Sequence, residues 1–287
     1  MIQYMGIKER TLIELRLRAE SPISILSTPE SGTPIKKVLR ILIMKGRTVE
    51  EIPVIPSSSF KGAIRALSES LSSFIAKALP SPENQIIVSH KRIGGRVKHE
   101  IEDEQKFIEI ARKRAKEMGI EPSDFGSGRM LKEGLLSLLC PIDKLYGFPR
   151  FAGKLRFSDI IPIKWESQFI ARTSIERDSL KVAEGRLFED EVIIPGSEFS
   201  AFIIGEDLFP GEPDSITLAL TLDFIIKRSI QLGSGKSIGR GRLTISKGEV
   251  YVARNFDALL PKEKGEKMSI DEFIDYLRGK SGSGSCN

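Results

Sequence analysis

The chain of 287 residues is poor in the side chains that build metal knuckles and disulfide frameworks: it has two cysteines and two histidines. Cys140 sits in an apolar run and Cys286 in a Gly/Ser tail. That pair offers neither a disulfide framework nor a Cys-x-x-Cys knuckle, and with so few histidines the composition argues against a zinc site. Aromatic residues make up 7%, and the motif of a basic residue, glycine and interleaved aromatics that stacks RNA bases on a sheet is missing, so binding through base stacking is not expected. No run approaches the roughly 18 apolar residues of a membrane span, and Met1 to Arg10 lacks the basic start and apolar stretch of a signal peptide, which places the chain in the cytoplasm and away from membranes. Asn and Gln together number eight, and with abundant Ile, Lys, Glu and Arg this is the composition of a thermophilic protein. Nothing in the motifs calls for a cofactor.

What is present is enough for a sizeable core. Hydrophobic content is 40% and charged content 29%, and the length suits one large or two ordinary domains. The net charge is +5, and the excess is local. From Phe224 to Gly248 there are six basic residues and no acid, which leaves 38 basic against 39 acidic residues elsewhere. Inside that stretch, Gly233, Gly235, Gly239 and Gly241 alternate with Lys236, Arg240 and Arg242. Glycines allow left-handed backbone and close approach, so the pattern reads as a loop that grips anions, or more plainly as a glycine-rich turn with surface charge. It is not a nucleotide-binding P-loop. Ile230 stands where that motif needs its first glycine, and a helical pattern (Leu222, Ile226, Ile230) precedes the loop instead of following it.

Thr11 to Ala19 alternates as a half-buried strand with Ile13, Leu15, Leu17 and Ala19 inward. Ser27 to Pro34 is a loop by its turn residues, followed by a strand over Val38 to Met44 with Lys36, Lys37, Arg40, Lys45 and Arg47 around it, either a basic patch or a lysine-protected edge. Ile55 to Leu79 reads as the best helix of the chain. Its serines suit a cap, Phe60, Ile64, Leu67, Leu71, Phe74 and Ala78 follow one face, and Gly62, Lys61 and Arg65 make its N-terminus a phosphate seat. Val88 to His99 is a basic hairpin turning at Gly94-Gly95, with Lys91, Arg92, Arg96 and Lys98; His90 and His99 flank it as solvated positions, or as an acid and base pair acting on RNA. Helical residues Lys106 to Met118 follow.

Phe151 to Ile161 alternates as a strand with Leu155 and Phe157 inward, and Trp165 to Lys181, which carries Arg172 and Arg177, projects as a hairpin. Two strands join through Pro195-Gly196-Ser197, another covers Ser215 to Leu222 before a helix from Asp223, and Leu243 to Val252 turns at Lys247-Gly248. Ser269-Ile270-Asp271-Glu272 is a capping box for a last helix. The order of strand, long helix, strands, helix and strand fits an α+β protein of the split βαβ, ferredoxin-like type, which is also the RRM scaffold. The glycine loop and the serine-capped helix are expected to share one surface on it.

Three stretches carry a family resemblance. Ile55-Pro56-Ser57-Ser58-Ser59-Phe60-Lys61-Gly62-Ala63-Ile64-Arg65 resembles the P-G-S-S-hydrophobic-K-G-x-hydrophobic-R segment of the RAMP superfamily of CRISPR-associated proteins, with Ser57 where glycine is usual. Leu232 to Arg242 resembles that family's C-terminal glycine loop, and Ile175 to Phe199 its central strand and thumb region. The likeness is strongest to the repeated backbone subunit of type III effector complexes. It implies a single modified ferredoxin-like domain over residues 1–278, with a basic and helical insertion at about 80–147, a thumb-like hairpin at about 161–198 and a flexible tail at 279–287. It implies CRISPR RNA, target RNA and other RAMP subunits, including copies of itself, as partners. Carried over by position, Ser57, Ser58, Lys61, Arg65, Lys236, Ser237, Arg240 and Arg242 would hold the guide backbone. Lys36, Lys37, Arg40, Lys91, Arg92, Arg96, Lys98, Arg172 and Arg177 are further candidates for RNA contact. Family members that cut target RNA use an aspartate in the loop after the first strand. Here Ser27 to Lys37 contains Glu30 and no Asp, so the expected role is non-catalytic and without metal. The alternative is a metal-dependent endoribonuclease in which Glu30, Asp159 or Asp178 supplies a ligand.

Overall fold

The computed structural model of the chain describes residues 6–25, 35–93, 96–175 and 182–280, without the side chains of 35, 92, 96, 172–175 and 182–188. Chain order gives β1 (Glu9–Ala19), the hairpin β2 (Arg40–Lys45) and β3 (Thr48–Pro53), then α1 (Ser57–Ser70). The inserted segment supplies α2 (Glu83–Ser89), the hairpin β4 (His90–Ile93) and β5 (Arg96–His99), α3 (Glu104–Glu117), α4 (Gly128–Ser137) and α5 (Pro141–Tyr146). There follow β6 (Leu155–Phe157), β7 (Ile161–Lys164), β8 (Ser167–Ile175), β9 (Val182–Ile193), β10 (Glu198–Glu206) and α6 (Pro213–Arg228). The chain ends in β11 (Ile230–Gln231), β12 (Arg242–Arg254), β13 (Glu266–Ser269) and α7 (Ile270–Leu277).

The main sheet runs β11-β12-β1-β10-β6, with β1 antiparallel to both neighbours. Taking β1, β6, β10 and β12 as the four core strands, and α1 and α6 as the crossovers, the spatial order is fourth, first, third, second. That is the ferredoxin-like arrangement. Strand β1 sits at its centre because its alternation is clean: Ile13, Leu15, Leu17 and Ala19 are buried, while Arg16 and Arg18 are exposed on the other face. Strands β8 and β9 pair as the expected hairpin, and the two-residue strand Ile35–Lys36 adds to β9 in parallel. The buried residues of the insertion, Leu135, Leu139, Ile142, Leu145 and Tyr146 among them, belong to one cluster with those of β1 and α6. Among the described residues no helix is long and apolar enough to cross a membrane.

Several local expectations change. Ser215 to Leu222 is helical, because α6 begins at Pro213 and runs unbroken to Arg228. Its Ile, Leu and Thr residues resemble a strand only because the helix is buried along much of its length (Thr217, Leu218, Ala219, Thr221, Leu222) and so shows little polar periodicity. Strand β12 does not turn at Lys247-Gly248. It continues as one strand through both residues, with the register to β1 shifting at Ser246, and Gly248 lies where an added Cβ would come within 2.8 Å of the Ile270 Cβ of α7, so this glycine admits a helix. The long helix breaks at Leu71, and Phe74 beyond the break is exposed. The capping box is formed as expected, with Ser269 Oγ accepting from the Glu272 N–H.

The glycine loop is strapped to the core. Leu232 N–H donates to Gly241 O at 2.8 Å, Gly241 N–H to Pro22 O at 2.8 Å, and Ser234 N–H to Ser24 O at 2.8 Å. Gly241 has φ +83°, and a Cβ there would stand 1.9 Å from Leu232 O; Gly239 has φ +82° and open space around it. Gly239→Ala should therefore cost only the left-handed strain, about 1–2 kcal/mol. Gly241→Ala adds a backbone clash to that strain and should cost roughly twice as much or more. Denaturant midpoints of the two variants check the order.

Candidate functional site

At the N-terminus of α1 the serines lie inside the first turn and none caps it. Pro56 is the N-cap, and the Ser57 N–H donates to Asp159 Oδ1 at 2.6 Å, a carboxylate where a helix end favours negative charge. Part of the expected phosphate seat is thus already occupied from within the chain, and Asp159 is committed to it. Ser58 is exposed. Lys61 is half-buried on the wall of a cavity of about 750 Å³ that also meets Arg65, Arg129 and Phe148, and burial, then the nearby Arg65, lowers its pKa.

Arg65 barely reaches solvent. It is 7% exposed, and its donors go to Glu69 Oε1 (2.9 Å), Gly147 O (2.8 Å) and Asp143 Oδ1 (2.8 Å). Arg240, also 7% exposed, turns inward to Asp190 Oδ2 at 3.0 Å. Arg40 pairs with the neighbouring Glu191, which also accepts from Val38 N–H and Ser167 Oγ, and lies over the Trp165 ring. Each of these three arginines, expected to hold guide phosphates, is paired with a carboxylate of the chain itself. A buried carboxylate captures each guanidinium, because a buried acid left unpaired would cost several kcal/mol.

The remaining loop residues behave differently. Lys236 and Ser237 are exposed at the tip, and Arg242 is exposed while reaching Ser229 Oγ (3.2 Å) and Glu20 Oε2 (3.4 Å). A groove of about 390 Å³ separates this loop from α1. It is lined by Ala63, Ala66 and Ser70 on one side and by Arg228, Lys236 and Arg242 on the other, and no acid lines it. Residues 61 and 63 are about 200° apart around a helix, so Lys61 points away from this groove. The helix and the loop are neighbours, but Lys61 and Lys236 are on opposite sides of α1.

Lys36 is half-buried, in register with Asp190, and Lys37 is exposed. Lys91 and Lys98 face each other across the β4–β5 register and both bind Glu100, at 2.5 and 2.6 Å, holding that carboxyl down at about 2. Arg92, Arg96 and Arg172 lie in strands, with their side chains outside the described residues. Glu30, Arg177, Asp178, Lys181, the Gly94-Gly95 turn and Cys286 also lie outside the described residues.

The two histidines are not solvated. His90 is 7% and His99 1% exposed, paired directly across the hairpin, with ring centroids 5.2 Å apart. Beside them are Cys140 and Asp143 at the start of α5, both fully buried. One donor atom from each of the four lies within 4.8 Å of every other. Burial opposes charge on both rings, yet the Cys140 sulfur and the carboxylates Glu69 and Asp143 push His90 up to about 10. Against the same burial, the nearby Cys140 sulfur and the carboxylates Glu133 and Asp143 push His99 up to about 9. Against burial and Asp143, the rings bring the Cys140 thiol down to about 7. The sequence view missed this cluster because its members are spread over 54 residues. One signal was legible: a two-residue turn at 94–95 puts His90 opposite His99.

A family description, the RAMP superfamily, matches residues 38–244 of the chain. No curated protein matches. Among solved structures, a chain of a "Type IV-B CRISPR Complex" is 16% identical with a TM-score of 0.48, covering 91% of this chain and 96% of its own. A chain of the "Type III-B Cmr-beta bound to cognate target RNA" is 15% identical with a TM-score of 0.44, covering 86% of this chain and 61% of its own.

The buried arginines generate a test. Arg240→Ala should lower stability by about 3–5 kcal/mol, since it takes a buried cation away from the fully buried Asp190, whereas Lys236→Ala should change it by less than about 0.5 kcal/mol. Urea unfolding of the two variants measures the contrast.

Proposed function

The chain belongs to the RAMP superfamily, and from that premise we propose that it is a non-catalytic RNA-binding subunit of a type III CRISPR interference complex, gripping the guide backbone in antiviral defence. The observation that carries the reading is the acid-free groove in which Arg228, Lys236 and Arg242 face the small side chains of α1. A polyanion entering it would meet three cations against a wall of Ala63, Ala66 and Ser70, which lets a phosphate chain approach closely. Affinity of this kind is sequence-tolerant and comes largely from released counterions. That suits a subunit that must hold a guide whatever its sequence. The exposed Leu42, Met44 and Val49 of the β2–β3 hairpin give an apolar surface for contact with adjoining RAMP subunits, copies of this chain among them. In this reading the β8–β9 hairpin is the thumb, and target RNA pairs with the guide held alongside it.

The test is binding of single-stranded RNA, followed by fluorescence anisotropy across a salt series. Lys236→Ala, Arg242→Ala and Arg228→Ala should each weaken binding to RNA of any sequence and reduce the slope of log affinity against log salt by roughly 0.7 per lost phosphate contact. A folded triple variant with unchanged affinity and slope would overturn the reading and leave the loop a structural turn.

A further inference from the structure

We propose that the cavity between α1, α4 and the turn at 147–153 binds a free nucleoside monophosphate, with the base inside and the phosphate at the mouth. Its volume of about 750 Å³ falls within the roughly 300–1,000 Å³ of small-molecule sites. One wall is built rigidly. Phe148 and Phe151 exchange backbone hydrogen bonds of 3.1 and 3.0 Å, which closes the turn that brings both rings to the cavity. Gly147 and Gly153 cross at its base so closely that a Cβ on Gly153 would stand 2.4 Å from Gly147 N.

The chemistry changes with depth. Lys61 and Arg65 on α1, and Arg129 and Glu133 on α4, are each four residues apart, so each pair lies along one face of its helix, and all four line the cavity. The outer member of each pair is a cation: Lys61 is half-buried and Arg129 exposed, and neither makes an ion pair among the described residues. The inner members are buried and already held, Arg65 by Asp143, Glu69 and Gly147 O, and Glu133 through its Oε2 by His99. Burial without a partner disfavours the charge on Lys61, a cost that an anion at the mouth relieves. Ser127 gives no side-chain cap to α4, so the first N–H groups of that helix add to the positive mouth beside Arg129.

The interior suits a flat, weakly polar ring. Val97, Met130, Phe148 and Phe151 line it, with the two phenylalanine centroids 6.0 Å apart. Glu133 Oε2 is taken by His99, while its other oxygen makes no hydrogen bond among the described residues, leaving one acceptor beside the apolar lining. An amino group of adenine, guanine or cytosine donates to such an acceptor, whereas uracil sets two carbonyls beside its single ring N–H, which a carboxylate repels. Neither a phosphate nor a base alone answers both ends of the cavity. Lys61 faces away from the groove of Arg228, Lys236 and Arg242, so a strand lying there would have to pass round α1 to place a nucleotide here. The occupant is therefore a free molecule, and this holds whether or not the groove binds RNA.

The experiment is isothermal titration calorimetry of the purified full chain with AMP, GMP, CMP and UMP, and with adenosine and inorganic phosphate as separate arms. The first three nucleotides should bind at micromolar concentration, one per chain, with UMP the weakest of the four and with adenosine and phosphate each at least about tenfold weaker than AMP. Lys61→Ala and Arg129→Ala should each weaken AMP about 10- to 100-fold, the loss of one charge-assisted hydrogen bond. Ala152→Trp fills the cavity from an exposed wall position, so it should keep the fold and abolish AMP binding while single-stranded RNA still binds. The triple variant of Arg228, Lys236 and Arg242 to alanine should still bind AMP. Folded wild type without saturable nucleotide binding at millimolar concentration would overturn the proposal, as would phosphate binding as tightly as AMP, or AMP binding that Ala152→Trp leaves unchanged. If Ala152→Trp weakens RNA binding and no mononucleotide binds, the cavity takes a nucleotide of the bound strand and the free-nucleotide site is overturned.

Discussion

The buried Asp143 carboxylate is the point on which the two halves of the molecule meet. It is fully buried and accepts Arg65 from α1 through one oxygen and Ser137 from α4 through the other, while both imidazoles of the β4–β5 hairpin lie within 3.7 Å. A lone carboxylate at this depth would neutralise or refuse burial. With Arg65 it becomes affordable only because α1, α4 and α5 all arrive together, so the ion pair enforces cooperation between the ferredoxin-like core and its insertion. Nearby, Ser68 Oγ lies within 3.0 Å of both the Tyr146 hydroxyl and Thr221 Oγ1, adding α6 to the same junction.

A second pair of acids organises the other side. Asp190 and Glu191 are consecutive on β9, and successive strand residues point to opposite faces. One takes Arg240 from the glycine loop and the other takes Arg40 from the β2–β3 hairpin. The thumb-like hairpin is thereby coupled to two separate basic segments through arginines spent on structure. Arg suits this work, since a planar, weakly hydrated fork survives burial better than an ammonium group. Lysines 36, 37, 61 and 236 are less buried than Arg65 and Arg240, which fits their stronger hydration. Position thus sorts much of the basic set: Arg40, Arg65 and Arg240 tether buried carboxylates, while Arg228, Lys236 and Arg242 line the acid-free groove.

The strands with regular alternation were legible in the sequence, as β1 shows, and so were the capping box at Ser269 and the glycine loop between helix and strand. What was not legible depends on partners distant in the chain. The reading of α6 failed because a buried helix rich in Ile and Thr has the composition of a strand. Lys61, Arg65 and Arg240 look alike in sequence, and only Asp143 and Asp190, respectively 78 and 50 residues from Arg65 and Arg240, decide that the two arginines turn inward. The histidines were placed in the right hairpin but on the wrong face, because the basic residues between them suggested a solvated ribbon.

That ribbon has two faces with opposite duties. His90 and His99 are paired in register, and the next pair, Lys91 and Lys98, must point the other way because side chains alternate along a strand. The outward pair is held by Glu100, which bridges both ammonium groups. Rotating the ribbon by one residue would bury two lysines and expose two imidazoles, a change that burial energetics forbids. The buried cluster therefore fixes which side of the hairpin is basic, and it does so through register, without touching the surface it orients.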